Sequence, residues 1–125
     1  MSKRLTKKSV LLRKGAKYPI YAFRSKIDLK YYFRARTNFE LDPETLQGIA
    51  KPYYEQTIQI VEAKADPRYN QIIIECCKYM GFYYYLKKDY TQSKIYWNKI
   101  LALEPANTTA LGAIDGIDKI LKGKK

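Results

Sequence analysis

One stretch constrains this chain more than any other: Cys77-x2-Met80-Gly81-x2-Tyr84, then Ser93-x3-Trp97, then Pro105. Steps of four and three place Cys77, Gly81 and Tyr84 on one face of a helix, and a step of four does the same for Ser93 and Trp97. The small residues Gly81 and Ser93 let two helices approach closely. The rings of Tyr84 and Trp97 fill the space beside that contact. Pro105 stops the second helix, because its ring and missing N–H cannot continue one. The segment Lys87-Lys88-Asp89 between them is a short turn, and short helix-to-helix connections imply antiparallel neighbours.

The rest of the chain is also read as helical. The spacing predicts a first helix from about Ile20 to Phe39, with Ala22, Ile27, Tyr31, Ala35 and Asn38/Phe39 on one face. A second runs from Pro43 or Gly48 to Ala65, with Ala50, Tyr53/Tyr54, Thr57/Ile58 and Val61 inward. Pro52 would cost about 3 kcal/mol in a helix interior, so the expectation is a start near Gly48 or a kink at Lys51. A third helix covers Tyr69 to Leu86. The run Gln71-Ile72-Ile73-Ile74 resembles a buried strand in isolation, but no breaker separates it from Glu75-Cys76-Cys77-Lys78. A fourth spans Tyr90 to Leu103, and a fifth Thr108 to Leu121 with Asn107 as N-cap. The predicted fold is all-α, a stack of antiparallel hairpins of about five helices ending in a capping helix. The expected units are 1–17, a basic flexible segment; 18–68, an irregular hairpin; 69–107, the regular hairpin; and 108–125, the cap with its basic tail.

The five-position pattern resembles the tetratricopeptide repeat, W-x2-L-G-x2-Y, A-x3-F and P within 34 residues. Counting Gly81 as position 8, Ser93 falls at the small position 20, Trp97 at the aromatic position 24 and Pro105 at position 32. The repeat covers residues 74–107. Gly81 to Tyr90 together with Tyr96 to Pro105, and upstream Lys51-Pro52-Tyr53-Tyr54-Glu55, resemble the tetratricopeptide proteins of the Bacteroidetes. Pro67 lies thirteen residues past Tyr54 whereas Pro105 lies eight past Trp97, so the first hairpin departs from the repeat's spacing. The resemblance implies a scaffold for a protein or peptide partner. It places a binding groove at positions 2, 5, 9, 12 and 13, which are Glu75, Lys78, Phe82, Tyr85 and Leu86 here. The competing reading is that these five pack on the preceding hairpin. Position 9 is Phe82 rather than Asn, so a Lys/Asn carboxylate clamp is not supported.

Other chemistry finds little footing. No histidine is present to serve as a general base. The six glycines form neither GxGxxG nor a phosphate loop. Asp115 and Asp118, one turn apart, are expected on a solvated face. No cofactor is implied. Cys76 and Cys77 are adjacent within an apolar run; with no CxxC and no histidine they are read as small core residues, not zinc ligands.

Charge supplies the alternative function. Residues 1–36 hold twelve Lys/Arg against Asp28 alone, a net +11, while residues 37–125 hold twelve against eleven acids, a net +1. Interleaved Tyr18, Tyr21, Phe23, Tyr31 and Tyr32 suit an RNA- or DNA-binding arm, since cations meet phosphates and rings stack on bases. The competing reading is a solvated basic tail. Val10-Leu11-Leu12 is too short for a secretion signal, and no run reaches the ~18 apolar residues of a membrane span. The compartment is cytoplasmic by default, or periplasmic or envelope if a signal peptide lies upstream of Met1. Gly112-x3-Gly116, on a helix with Asp115, Asp118 and Lys119, excludes insertion into a membrane. It suggests close packing on the Trp97 helix or a homodimer contact. Asn107-Thr108-Thr109 fits a glycosylation acceptor, and capping explains it more simply.

Overall fold

A computed structural model describes residues 28–123. Five α-helices follow in order: α1 Lys30–Leu41, α2 Lys51–Lys64, α3 Asn70–Leu86, α4 Tyr90–Leu103 and α5 Thr108–Gly123. A 3-10 turn, Pro67–Tyr69, leads into α3. No strand occurs among the described residues, and Gln71–Ile74 is helical. The principal packing is sequential, α1 on α2, α2 on α3, α3 on α4 and α4 on α5.

The ends follow local chemistry. Asp89 accepts from the Gln92 amide at the start of α4, and the Asn107 carboxamide accepts from the Ala110 amide at 2.9 Å; both satisfy donors that a helix N-terminus leaves free. Pro52 falls in the first turn of α2, where it has no intrahelical hydrogen bond to break. The turn before it is built on Asp42, whose carboxylate accepts from the amides of Leu46, Gln47 and Gly48. Burial pushes the Asp42 pKa up, but these amide donors together outweigh it and hold the carboxyl below its ordinary value. Gly48 closes the turn at φ +72°, a left-handed conformation in which a side chain is strained.

The first helix differs from expectation. It begins at Lys30, because Asp28 and Leu29 are not helical and the Asp28 carboxylate accepts from the Lys30 amide at 2.9 Å. Residues 18–27, where the expected start lay, and the basic segment 1–17 are outside the described residues. The inward residues of α1 are Tyr32 and Ala35, rather than Tyr31 and Phe39.

The core runs through all five helices. Tyr54, Val61, Ile74, Cys76, Cys77, Met80, Trp97, Ile100, Ala110 and Ile117 are among its buried members. Both cysteines are free and fully buried. Burial pushes the Cys77 thiol up to about 12 and raises Cys76 as well, so neither is a thiolate at neutral pH. A tyrosine seam joins α2 to α3: Tyr54 and Tyr79 lie 4.6 Å apart, and Tyr83 stacks beside Tyr79 at 6.5 Å.

The five-position pattern assembles as one unit. The Ser93 hydroxyl donates to the Gly81 carbonyl at 2.7 Å and accepts from the Trp97 indole N–H at 3.1 Å. The Trp97 ring lies on Gly81 so closely that an added Cβ would stand 2.6 Å from it. Tyr84 stacks on Tyr96 of α4 at 5.9 Å, and Met80 and Cys77 are fully buried beneath.

Candidate functional site: the face shared by α1, α3 and α5

Because neighbours in sequence alternate sides, α1, α3 and α5 come to share one face, with α2 and α4 behind. Two depressions lie along it. The first, about 400 Å³, lies between α1 and α3. Arg36, Phe39 and Glu40 of α1 form one wall, and Glu75, Lys78 and Phe82 of α3 the other. Thr45, Tyr54 and Tyr79 also line it. The second, about 370 Å³, lies between α3 and α5 and is bounded by Phe82, Tyr85, Trp97 and the stretch of α5 from Thr109 to Gly116. Phe82 belongs to both and is 43% exposed.

The two differ chemically. The first has a polar interior. Thr45 Oγ1 and the Tyr79 hydroxyl are buried side by side and interact with each other. Burial raises the Tyr79 pKa, as does the Asp42 charge, while Thr45 and the Ala50 backbone oppose the shift. Glu75 accepts from the Tyr32 hydroxyl at 2.7 Å and pairs with Arg36 at 3.5 Å. Burial, and next the Glu75 hydrogen bond, push Tyr32 up to about 12. The second depression has no charged lining residue. A Cβ added at Gly112 or Gly116 would meet nothing within 4 Å.

Of the residues expected in a groove, Glu75, Lys78 and Phe82 line the first depression and Phe82 and Tyr85 the second. Leu86 lines neither, although it is 43% exposed. Glu75 also has a structural part, since it ties α1 to α3. The sequence reading missed Arg36, Phe39, Thr45 and Tyr79, which come from elsewhere in the chain, and it assigned Trp97 to packing alone. Gly112 and Gly116 are corrected: they do not bring α5 tightly onto α4 but leave open space beside Trp97. Asp118 is also corrected. It turns toward α4 and pairs with Lys94 at 2.7 Å, whereas Asp115 is exposed and meets only Lys119.

No group of three or more potential metal ligands occurs among the described residues. No helix there is long and apolar enough to cross a membrane.

This arrangement is a tetratricopeptide-type stack of helical hairpins. The chain is similar to the C-terminal part of a TPR repeat-containing protein from Cytophaga hutchinsonii, a crystal structure matched with 39% sequence identity and a TM-score of 0.64. The match covers 67% of this chain and 32% of that one, so this chain spans about a third of the length of its relative. The resemblance to tetratricopeptide proteins of the Bacteroidetes therefore holds in sequence and in fold. No protein-family model matches the chain, and no curated protein does. The fold points in general to a protein–protein interaction scaffold, a class that is generally non-catalytic.

Proposed function

We propose that the chain binds an extended peptide or protein segment along the face of α1, α3 and α5, with Phe82 at its centre and Lys78 and Tyr85 beside it. The observation that carries this reading is Phe82 itself, a large apolar ring 43% exposed between two depressions. Exposed aromatic side chains flanked by concave surface are where binding energy concentrates. In this reading α3 supplies the centre of the face, and α1 and α5 its flanking walls. Polar, exposed Thr108, Asp115, Lys119 and Lys122 on the outer side of α5 fit a terminal cap. Panning a displayed random-peptide library on the full chain, with a Phe82→Asp variant as the counter-selection, tests it. Peptides held by the native chain and released by the variant support the proposal. Failure to enrich any peptide that distinguishes the two overturns it.

A further inference from the structure

The two hairpins are joined differently. Three residues, 87–89, connect α3 to α4, whereas nine, 42–50, connect α1 to α2. A helical hairpin closes with the shorter connection, so the longer one is not needed to pair the helices. We propose that segment 42–50 is a strap that fixes the α1 wall of the α1–α3 depression, with Asp42 as its positioning residue, an inference that rests on the binding face just proposed.

The strap is held by polar bonds rather than by apolar burial. Leu41 and Leu46, the large apolar side chains on either side of its first turn, are 73% and 74% exposed. Asp42 caps the end of α1, its amide donating to the Phe39 carbonyl at 3.1 Å. Its carbonyl accepts from the Thr45 amide at 2.9 Å. Its carboxylate gathers the amides of Leu46, Gln47 and Gly48 at 2.9, 3.1 and 2.8 Å. An ionised acceptor holds such amides more strongly than a neutral one. One residue thereby joins the last turn of α1 to the approach to α2.

The backbone shows that this conformation is imposed. Thr45 is buried at φ +58°, a left-handed setting that a β-branched residue adopts only at a cost. Such a conformation persists where its surroundings over-determine it. Here Asp42 fixes the chain on both sides of Thr45, and the Thr45 hydroxyl meets Tyr79 of α3. The wall depends on that hold. Near its start α1 is tied to α3 through Glu75, by Tyr32 at 2.7 Å and Arg36 at 3.5 Å. At its end the Phe39 ring meets Tyr79 edge-on at 6.1 Å, and Phe39 and Glu40 are the part of the wall next to Asp42. Releasing Asp42 lets Thr45 return to an ordinary conformation and frees that end of α1 to swing away from α3.

The test places spin labels across the depression on the full chain, at Glu40→Cys and Lys78→Cys; the native Cys76 and Cys77 are buried and do not take the label. With Asp42→Ala the distance between the labels is expected to lengthen and its distribution to broaden. Asp42→Asn, which keeps the shape but replaces an acceptor by a donor, is expected to do the same. A second pair, Lys78→Cys and Asp115→Cys, spans the α3–α5 side and is expected to keep its distance. The melt followed by Trp97, the single tryptophan, is expected to shift little. Peptides selected on the native chain are expected to bind Asp42→Ala about three- to tenfold more weakly, because the wall must then be ordered on binding. An unchanged Glu40–Lys78 distance, a change in both distances, or a fall of the Trp97 melt in step with the widening overturns the strap. Equal binding of the peptides to both chains overturns its part in the binding face. Failure to select any peptide overturns the binding face instead, and the strap is then decided by the two distances.

Discussion

Gly81 and Gly112 both lie inside a helix that faces Trp97, and they do opposite things. At Gly81 the missing side chain is occupied by the indole, which stands 2.6 Å from where a Cβ would be. At Gly112 the missing side chain leaves space that nothing takes up within 4 Å. One glycine closes α3 against α4; the other keeps a surface open between α3 and α5. A glycine at a helix interior is therefore ambiguous until its opposite side is known. The two sides of Trp97 separate what holds the hairpin together from what it presents.

That contrast can be attacked from both ends. Trp97→Ala should have the largest effect, a loss of about 3–5 kcal/mol of unfolding free energy, because the ring is buried and its removal opens a cavity; urea unfolding measures it. Gly81→Ala should cost about 1–3 kcal/mol by crowding the indole. Combining it with Trp97→Phe should recover part of that loss, and strictly additive effects would mean that Gly81 and Trp97 do not meet. Ser93→Ala should cost about 1–3 kcal/mol, since the indole N–H is then buried without an acceptor. On the open side, Gly112→Ala should stabilise by up to about 1 kcal/mol, since alanine is the better helix former and meets nothing there. A destabilised Gly112→Ala would erase the distinction. The smallest effect is expected far from Trp97, at Asp42. Its folded pKa lies below the ordinary value of 3.8. Its contribution is therefore present above that value and is lost as pH falls through the lower, folded pKa. An Asp42→Asn chain should lose less stability than the native chain over the same acid titration.

Much of the fold was legible because it rests on local chemistry. Asn107 caps a helix at the expected position, Pro52 sits in a first turn, and α4 has the expected ends, since each depends on residues within a turn or two. The close approach of Gly81 and Ser93 was legible from spacing for the same reason. The start of α1 was not, because the apolar spacing of the sequence runs on past Asp28 and Leu29 and gives no sign that these two are not helical. The candidate site was legible only along α3: Glu75, Lys78, Phe82 and Tyr85 share a helical stripe. Its opposite walls carry no such signature. Arg36 and Gly112 lie more than thirty residues from the nearer end of that stripe or beyond a second helix, and no period connects them to it.

The amino-acid sequence by itself determined that the chain is a run of helices joined by short turns, and that residues 74–107 pair as a hairpin around Gly81, Ser93 and Trp97. Only the tertiary structure decided that α1, α3 and α5 share a face and that Phe82 stands between two depressions. It alone showed that the space beside Gly81 is filled while that beside Gly112 is open. The reason is range. Helix formation and capping depend on neighbours a few residues away, whereas a depression is the volume left over between side chains brought together from distant parts of the chain.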